Sequence, residues 1–315
     1  MAVSNAKQED KLNLRSITWG DLTWVSIEKP TEKETEYLAE KYPFHPLDLD
    51  DCLSRIQRPK IDKYREYLFM VLHFPVFHKE ARVTKASQIS VFIGNDYLIT
   101  LHNGDLKPLV KFFKECEIDE ESRQENFGEG SGYLLYRIID RLVDYCIPIS
   151  NKMLDNIEDV EERIFSDTKR SQIKEISVLR RDIISFRRII WPMRAVIGSL
   201  EPNVRRFSKM ELAVYFGDMV DHLDKIWDAL DEYKELIEGL NDTHDSLMTN
   251  RTNKIIQLLT IISTMLLPTT LIASIWGMNI DLPLQGTGNS FVYIILIMVS
   301  IICGMLYFFR KKKWL

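Results

Sequence analysis

The chain has 315 residues, 41 Lys+Arg against 46 Asp+Glu for a formal net charge of -5, and 45% hydrophobic residues. That length holds one large or two ordinary domains, and so much apolar material beside 28% charged residues excludes a disordered or fibrous chain. The near-balanced charge leaves no nucleic-acid footprint, and four scattered cysteines without a CxxC pair point to a reducing compartment.

Residues 1–132 read as a cytoplasmic α/β domain. The opening MAVSNAKQEDKLNLRS lacks the apolar core of a signal peptide, so export of the first 250 residues is not expected. Leu22–Glu28 is a short strand candidate, and Thr31 followed by Glu34 reads as a capping box opening a helix through about Lys41. Tyr67–Phe77 reads as a buried strand, while Ile89–Ile93 and Tyr97–His102 flank the hairpin signal Gly94-Asn95-Asp96. After the Gly-rich stretch Gly128–Gly132 the period becomes helical from Tyr133, with breaks near Asp167 and Pro202. Leu134, Ile138, Leu142 and Tyr145 mark one face of the first helix of this region, which spans 133–208 as a helical hairpin.

From about Lys209 no proline interrupts the pattern until Pro268, so one helix is expected to run to Trp276. Its cytoplasmic stalk, 209–254, carries Leu223, Ile226, Leu230, Tyr233, Ile237, Leu240, His244 and Leu247 at three-four spacing, which implies helices packed side by side. A second stripe is acidic: Asp221, Asp224, Asp228, Asp231, Glu235, Glu238, Asp242 and Asp245. Such a stripe is either a solvated face or a surface that concentrates cations.

Residues 255–276 and 291–309 contain no charged side chain, and each is long enough to cross a hydrocarbon core of about 30 Å. The loop between them, 277–290, has Asp281 as its only charge, so the two spans form a hairpin. Arg251 and Lys254 precede the first span, and Arg310, Lys311, Lys312 and Lys313 in the tail 310–315 follow the second; the loop has no Lys or Arg. This asymmetry puts both termini in the cytoplasm of a cell membrane. Within the first span, Asn253, Ile256, Thr260, Ser263, Leu267, Thr270, Ser274 and Gly277 share one helix face, mixing hydroxyls and an amide with aliphatic side chains. That face suits a lining for a hydrated ion, closed by apolar rings at Ile256 and Leu267, or ordinary helix packing. A pore would require several copies around an axis.

Gly277-Met278-Asn279 stands directly after the first span and before a short loop, a second span and a basic end. With Asn250-Arg251-Thr252-Asn253, the Leu267-Pro268-x-Thr270 segment, Lys311 to Leu315, Gln57-Arg58-Pro59-Lys60, Ile190-Trp191-Pro192 and Tyr215-Phe216-x-Asp218, this arrangement resembles the CorA family of magnesium transporters. The resemblance implies an α+β cytoplasmic domain of α/β/α layers, a long stalk helix and a two-helix membrane hairpin, assembled as a funnel-shaped homopentamer in a lipid bilayer. It places Gly277, Met278 and Asn279 at the pore mouth and constrictions at Asn253, Ile256, Leu259, Leu267 and Thr270, with Leu259 competing with Thr260 for one position. A neutral amide ring suits Mg2+, which dehydrates reluctantly and is recognised through its water shell.

The resemblance also implies a divalent cation held between cytoplasmic domains, with Asp218, and Asp221 one turn on, facing the Phe77–Glu80 segment of a neighbour. There His78 stands where the family has an acid, beside Glu80. Mg2+ is thus both substrate and regulatory ligand, and no organic cofactor is expected. Two departures stand out: Trp276 where Tyr is usual, and a loop without the acidic Met-Pro-Glu-Leu motif.

A zinc, cobalt or nickel transporter of the same family and a non-conducting coiled-coil scaffold are the alternatives. An enzyme is not expected: there is no P-loop, GxSxG or HExxH, and the six histidines do not cluster with carboxylates at catalytic spacing. The Arg310–Lys313 cluster reads either as a lipid-facing anchor or as a positive collar around the inner pore mouth.

Overall fold

In a computed structural model the described residues are 12–54, 57–166, 170–278, 289–312 and 314. The chain divides into two units, Met1–Asn241 and Asp242–Leu315. The first is built on a six-stranded sheet of order β1-β2-β6-β5-β4-β3, from β1 (Leu14–Trp19), β2 (Leu22–Glu28), β3 (Lys60–Lys63), β4 (Leu68–His78), β5 (Val83–Ile93) and β6 (Tyr97–His102). Only β2 and β6 run parallel, with Thr23 opposite Tyr97; the other neighbours are antiparallel.

The run Leu68 to Leu72 in β4 is fully buried, so both faces of the sheet need cover. On one face α1 (Glu32–Lys41) and α2 (Pro46–Leu53) bring Leu38 and Leu49 into a core with Phe69, Phe92 and Ile99. Glu34 accepts from the Thr31 N–H at 2.8 Å, fixing the start of α1 where the capping pattern placed it. On the other face Trp24 meets Phe112 and Phe113 of α3 (Lys107–Ile118) at 5.4 and 4.9 Å between ring centroids. Behind α3 lie α4 (Glu120–Phe127) and α5 (Ser131–Asp144). This is the expected α/β/α layering.

The helices α6 (Cys146–Ser166), α7 (Arg170–Gly198), the short α8 (Glu201–Val204) and the first part of α9 (Ala213–Trp276) complete the unit. The apolar stripe of α9 is buried from Leu223 to Leu240, as its spacing implied. The acidic stripe is not uniformly solvated. Arg194, Arg187 and Arg180 of α7 pair with Asp224, Asp231 and Glu238 of α9, a ladder of single heptad steps on antiparallel helices.

Several boundaries differ from expectation. The mainly helical region begins at Lys107 rather than Tyr133, because Leu109, Phe112, Phe113 and Cys116 already form a buried helical face. The strand expected from Ile89 begins at Val83, since β4 and β5 form one long hairpin with eleven residues in each strand. The break expected near Pro202 is present between Gly198 and Glu201, and Pro202 itself sits in the first turn of α8, where its missing N–H costs nothing. Asp167, the other expected break, lies outside the described residues. The long helix starts at Ala213 rather than Lys209, whose N–H is engaged by the carbonyl of Glu129 at 2.9 Å.

The second unit holds the rest of α9 and α10 (Ser290–Lys311), and both helices are long and apolar enough to cross a membrane. Most of their large apolar side chains are exposed: Leu267 is 69% and Phe291 76% accessible. Pro268 offers no N–H to the carbonyl one turn back. The Thr269 and Thr270 hydroxyls donate to neighbouring carbonyls of the same turn, including that of Leu266 at 2.8 Å from each.

Candidate ion pathway and cation cluster

On the membrane part of α9, Ile261 and Thr269 are buried, while Gln257, Met265, Pro268 and Ile272 are half-buried. Gln257 donates to the backbone carbonyl of Trp314 at 3.0 Å, so the C-terminal end covers this side. Most of the remaining surface is bare, Ile255, Leu258, Ile262, Leu266 and Leu271 included. The stripe of Asn253, Ile256, Thr260, Ser263, Leu267, Thr270 and Ser274 is exposed throughout, as are Gly277 and Met278 at its end. Leu259 is exposed too, at its margin, so burial does not decide between it and Thr260. At 100° per residue this stripe and the covered set lie on opposite sides of the helix.

Two hydroxyls on the stripe are committed internally: Thr260 Oγ1 donates to the Ile256 carbonyl and Thr270 Oγ1 to the Leu266 carbonyl, both at 2.8 Å. Their hydrogens are spent on the helix, and their lone pairs are what remains to face outward. Asn279 lies outside the described residues, as does Lys313. Arg310, Lys311 and Lys312 end α10 and are exposed.

The regulatory candidate Asp218 stands in α9 within the first unit, largely exposed, its Oδ2 3.8 Å from Nε2 of His222 one turn on. The other ring nitrogen of His222, Nδ1, lies 3.7 Å from Oδ1 of Asp144 in α5; it is buried and has no hydrogen-bond partner among the described residues. Separations near 3.8 Å are too long for hydrogen bonds, and because the two ring nitrogens point away from each other the two carboxylates cannot share one cation through this ring. Asp140, one turn before Asp144, has its carboxyl pushed above the usual value by burial, then by Asp144 and, among weaker influences, Asp218. Burial and like charge together make the Asp140 carboxyl hold its proton more tightly.

The spacing of the histidines gave no sign of this: His222 does sit between carboxylates. Its signal in the sequence was the Asp218-x-x-x-His222 step on one helix face, whereas Asp140 and Asp144 come from a distant helix. Asp221 is exposed without an ion pair among the described residues. His78 ends β4 and Glu80 lies in the following turn; both are exposed, and neither side chain has an ion pair or hydrogen bond among the described residues.

Another acidic group, Asp48, Asp51 and Asp62, brings three carboxylates within 4.8 Å of one another. Its carboxyl groups are already engaged. Lys60 Nζ lies 2.6 Å from Asp51 and 2.5 Å from Asp62, and Asp48 accepts from the hydroxyls of Tyr64 and Tyr67 at 3.2 and 3.1 Å.

Comparison with known proteins gives a consistent picture. The family model of the CorA-like Mg2+ transporter protein matches residues 19–311. The cobalt/magnesium transport protein CorA of Thermotoga maritima is 30% identical over 301 residues, covering 93% of this chain and 83% of the relative. The zinc transport protein ZntB of Yersinia pseudotuberculosis is 21% identical, covering 93% and 88%. Among solved structures, the complete CorA magnesium transporter from Methanocaldococcus jannaschii superposes with a TM-score of 0.82 at 24% identity, covering 95% of this chain and 94% of that one.

Proposed function

This chain belongs to the CorA-like Mg2+ transporter family, a family of membrane divalent metal ion transporters, and from that premise we propose that it conducts Mg2+ passively into the cytoplasm. Five copies surround an axis, with residues 255–276 as the lining span, 291–309 as the outer span, and both termini cytoplasmic in the cell membrane. Residues 1–132, 133–208 and 209–254 form the cytoplasmic domain, helical hairpin and stalk, while the loop 277–290 presents Gly277, Met278 and Asn279 to the outside. The supporting observation is that the uncharged stripe of amide, hydroxyl and aliphatic side chains from Asn253 to Ser274 is exposed along its whole length. An uncharged path of amides and hydroxyls recognises an ion through its hydration shell, which Mg2+ sheds reluctantly.

Closure is proposed to depend on a divalent cation at Asp218, with Asp221 and Nε2 of His222 one turn on, completed by a neighbouring subunit's β4–β5 turn at His78 and Glu80. Empty, the carboxylates repel; occupied, they hold the subunits together, so the cation biases the closed state by its preference for it. The zinc reading rests on the ZntB likeness. The oxygen-only pathway favours Mg2+, whereas the His222 nitrogen at the regulatory cluster suits softer metals.

The test is flux into sealed vesicles with Mg2+, Co2+ and Zn2+, wild type beside Asn279→Ala. Mg2+ entry that Asn279→Ala reduces supports the proposal. Vesicles that admit no divalent ion would favour a scaffold, and rescue of zinc tolerance without rescue of Mg2+-starved growth would favour zinc.

A further inference from the structure

Two segments singled out in the sequence, Gln57-Arg58-Pro59 and Trp191-Pro192, take no part in the pathway or the cation cluster. They line one cavity of about 830 Å3, together with α7 and α9 of the first unit. Its aromatic wall is Trp191 and Trp227, with ring centroids 4.9 Å apart and planes tilted by 46°. Its cations are Arg58, Arg187, Arg188 and Lys234.

These four are not equally available. Arg187 is committed, stacked 4.5 Å over Trp227 and paired with Asp231. Lys234 has a loose approach of 3.9 Å to Glu238. Arg58 and Arg188 have no ion pair or hydrogen bond among the described residues, and both are exposed. The indole of Trp191 is 58% accessible, although its neighbour already lies against Arg187. Uncompensated guanidinium groups beside an open indole call for a ligand with a flat π face at one end and several negative oxygens at the other. Arg forks match phosphate oxygens two at a time, and an indole accepts any base by its face. The volume is in the range of small-molecule sites, about 300–1,000 Å3.

We propose that this cavity binds a nucleoside di- or triphosphate, its base stacked on Trp191 and its phosphates held by Arg58 and Arg188. Inorganic phosphate alone would leave the indoles wet, and a neutral nucleoside would leave both arginines unpaired. The site is separate from the pathway, and its test requires no transport.

Full-length protein in detergent micelles, with divalent ions removed by a chelator, is titrated calorimetrically with ATP, tripolyphosphate and adenosine. ATP should bind one per chain, and tripolyphosphate and adenosine each about tenfold or more weaker, as loss of one stacked base or one phosphate clamp implies. Arg58→Gln with Arg188→Gln should weaken ATP by a similar factor. Trp191→Ala should weaken ATP while leaving tripolyphosphate unchanged, and Trp191→Phe should retain most of the affinity. Thermal melting of each variant confirms that it is folded. No heat with ATP into the millimolar range overturns the proposal. So does equal affinity for ATP and tripolyphosphate, or an ATP affinity that the folded arginine and tryptophan variants do not change.

Discussion

Asp182 in α7 is a buried carboxyl that burial pushes above its usual value of 3.8, and it accepts a hydrogen bond from the Thr84 N–H. A raised value in the folded state means that the native chain holds this proton more tightly than the unfolded chain does. Its contribution is therefore most favourable below 3.8 and is lost as pH rises through the raised value. Asp182→Asn keeps an acceptor for Thr84 but cannot ionise, so its melting temperature should lose that slope and equal or exceed wild type at neutral pH. An unchanged slope in the variant would assign the titration to another group. At the proposed cation site, Asp218→Asn should weaken Mg2+ protection against proteolysis about tenfold, about 1.4 kcal/mol, and unchanged protection would remove Asp218 from the site. Family likeness made Asp218 a candidate in the sequence. Asp140 and Asp144 were not, because only the packing of α5 on α9 brings them to it.

At the scale of elements, short-range chemistry was the readable part. Glu34 opens α1 as its spacing promised, and the Gly94-Asn95-Asp96 turn joins β5 to β6. Three members of the acidic stripe are taken by the arginines of α7, because a charge on a helix face has no partner until a second helix supplies one. A double-mutant cycle on Arg187→Gln and Asp231→Asn should give a coupling of about 0.5–1.5 kcal/mol, more than an exposed pair, since Arg187 is only 20% accessible. No coupling would mean that the ladder is incidental. Gly130, at φ +96 before α5, is a stricter case: a Cβ there would stand 2.7 Å from the Phe207 carbonyl oxygen. Gly130→Ala should cost about 1–3 kcal/mol, read as a fall of several degrees in melting temperature.

For the whole molecule, hydropathy and charge asymmetry made the two spans and their basic flanks readable without any structure. What they could not supply is which face of α9 is covered, because that depends on where α10 and Trp314 lie. The collar proposal belongs at this scale. Lys311→Gln, Lys312→Gln and Lys313→Gln together should raise Mg2+ flux in vesicles without changing the Asn279 dependence; unchanged flux would leave the cluster as a lipid anchor.

The locked hydroxyls of Thr260 and Thr270 carry one more implication. A cation travels with its water hydrogens pointing outward, and these meet oxygen lone pairs on such a wall. Chloride travels with water oxygens outward and finds no hydrogen from either threonine. A conduit built this way can sort ions by sign of charge without holding a fixed charge of its own.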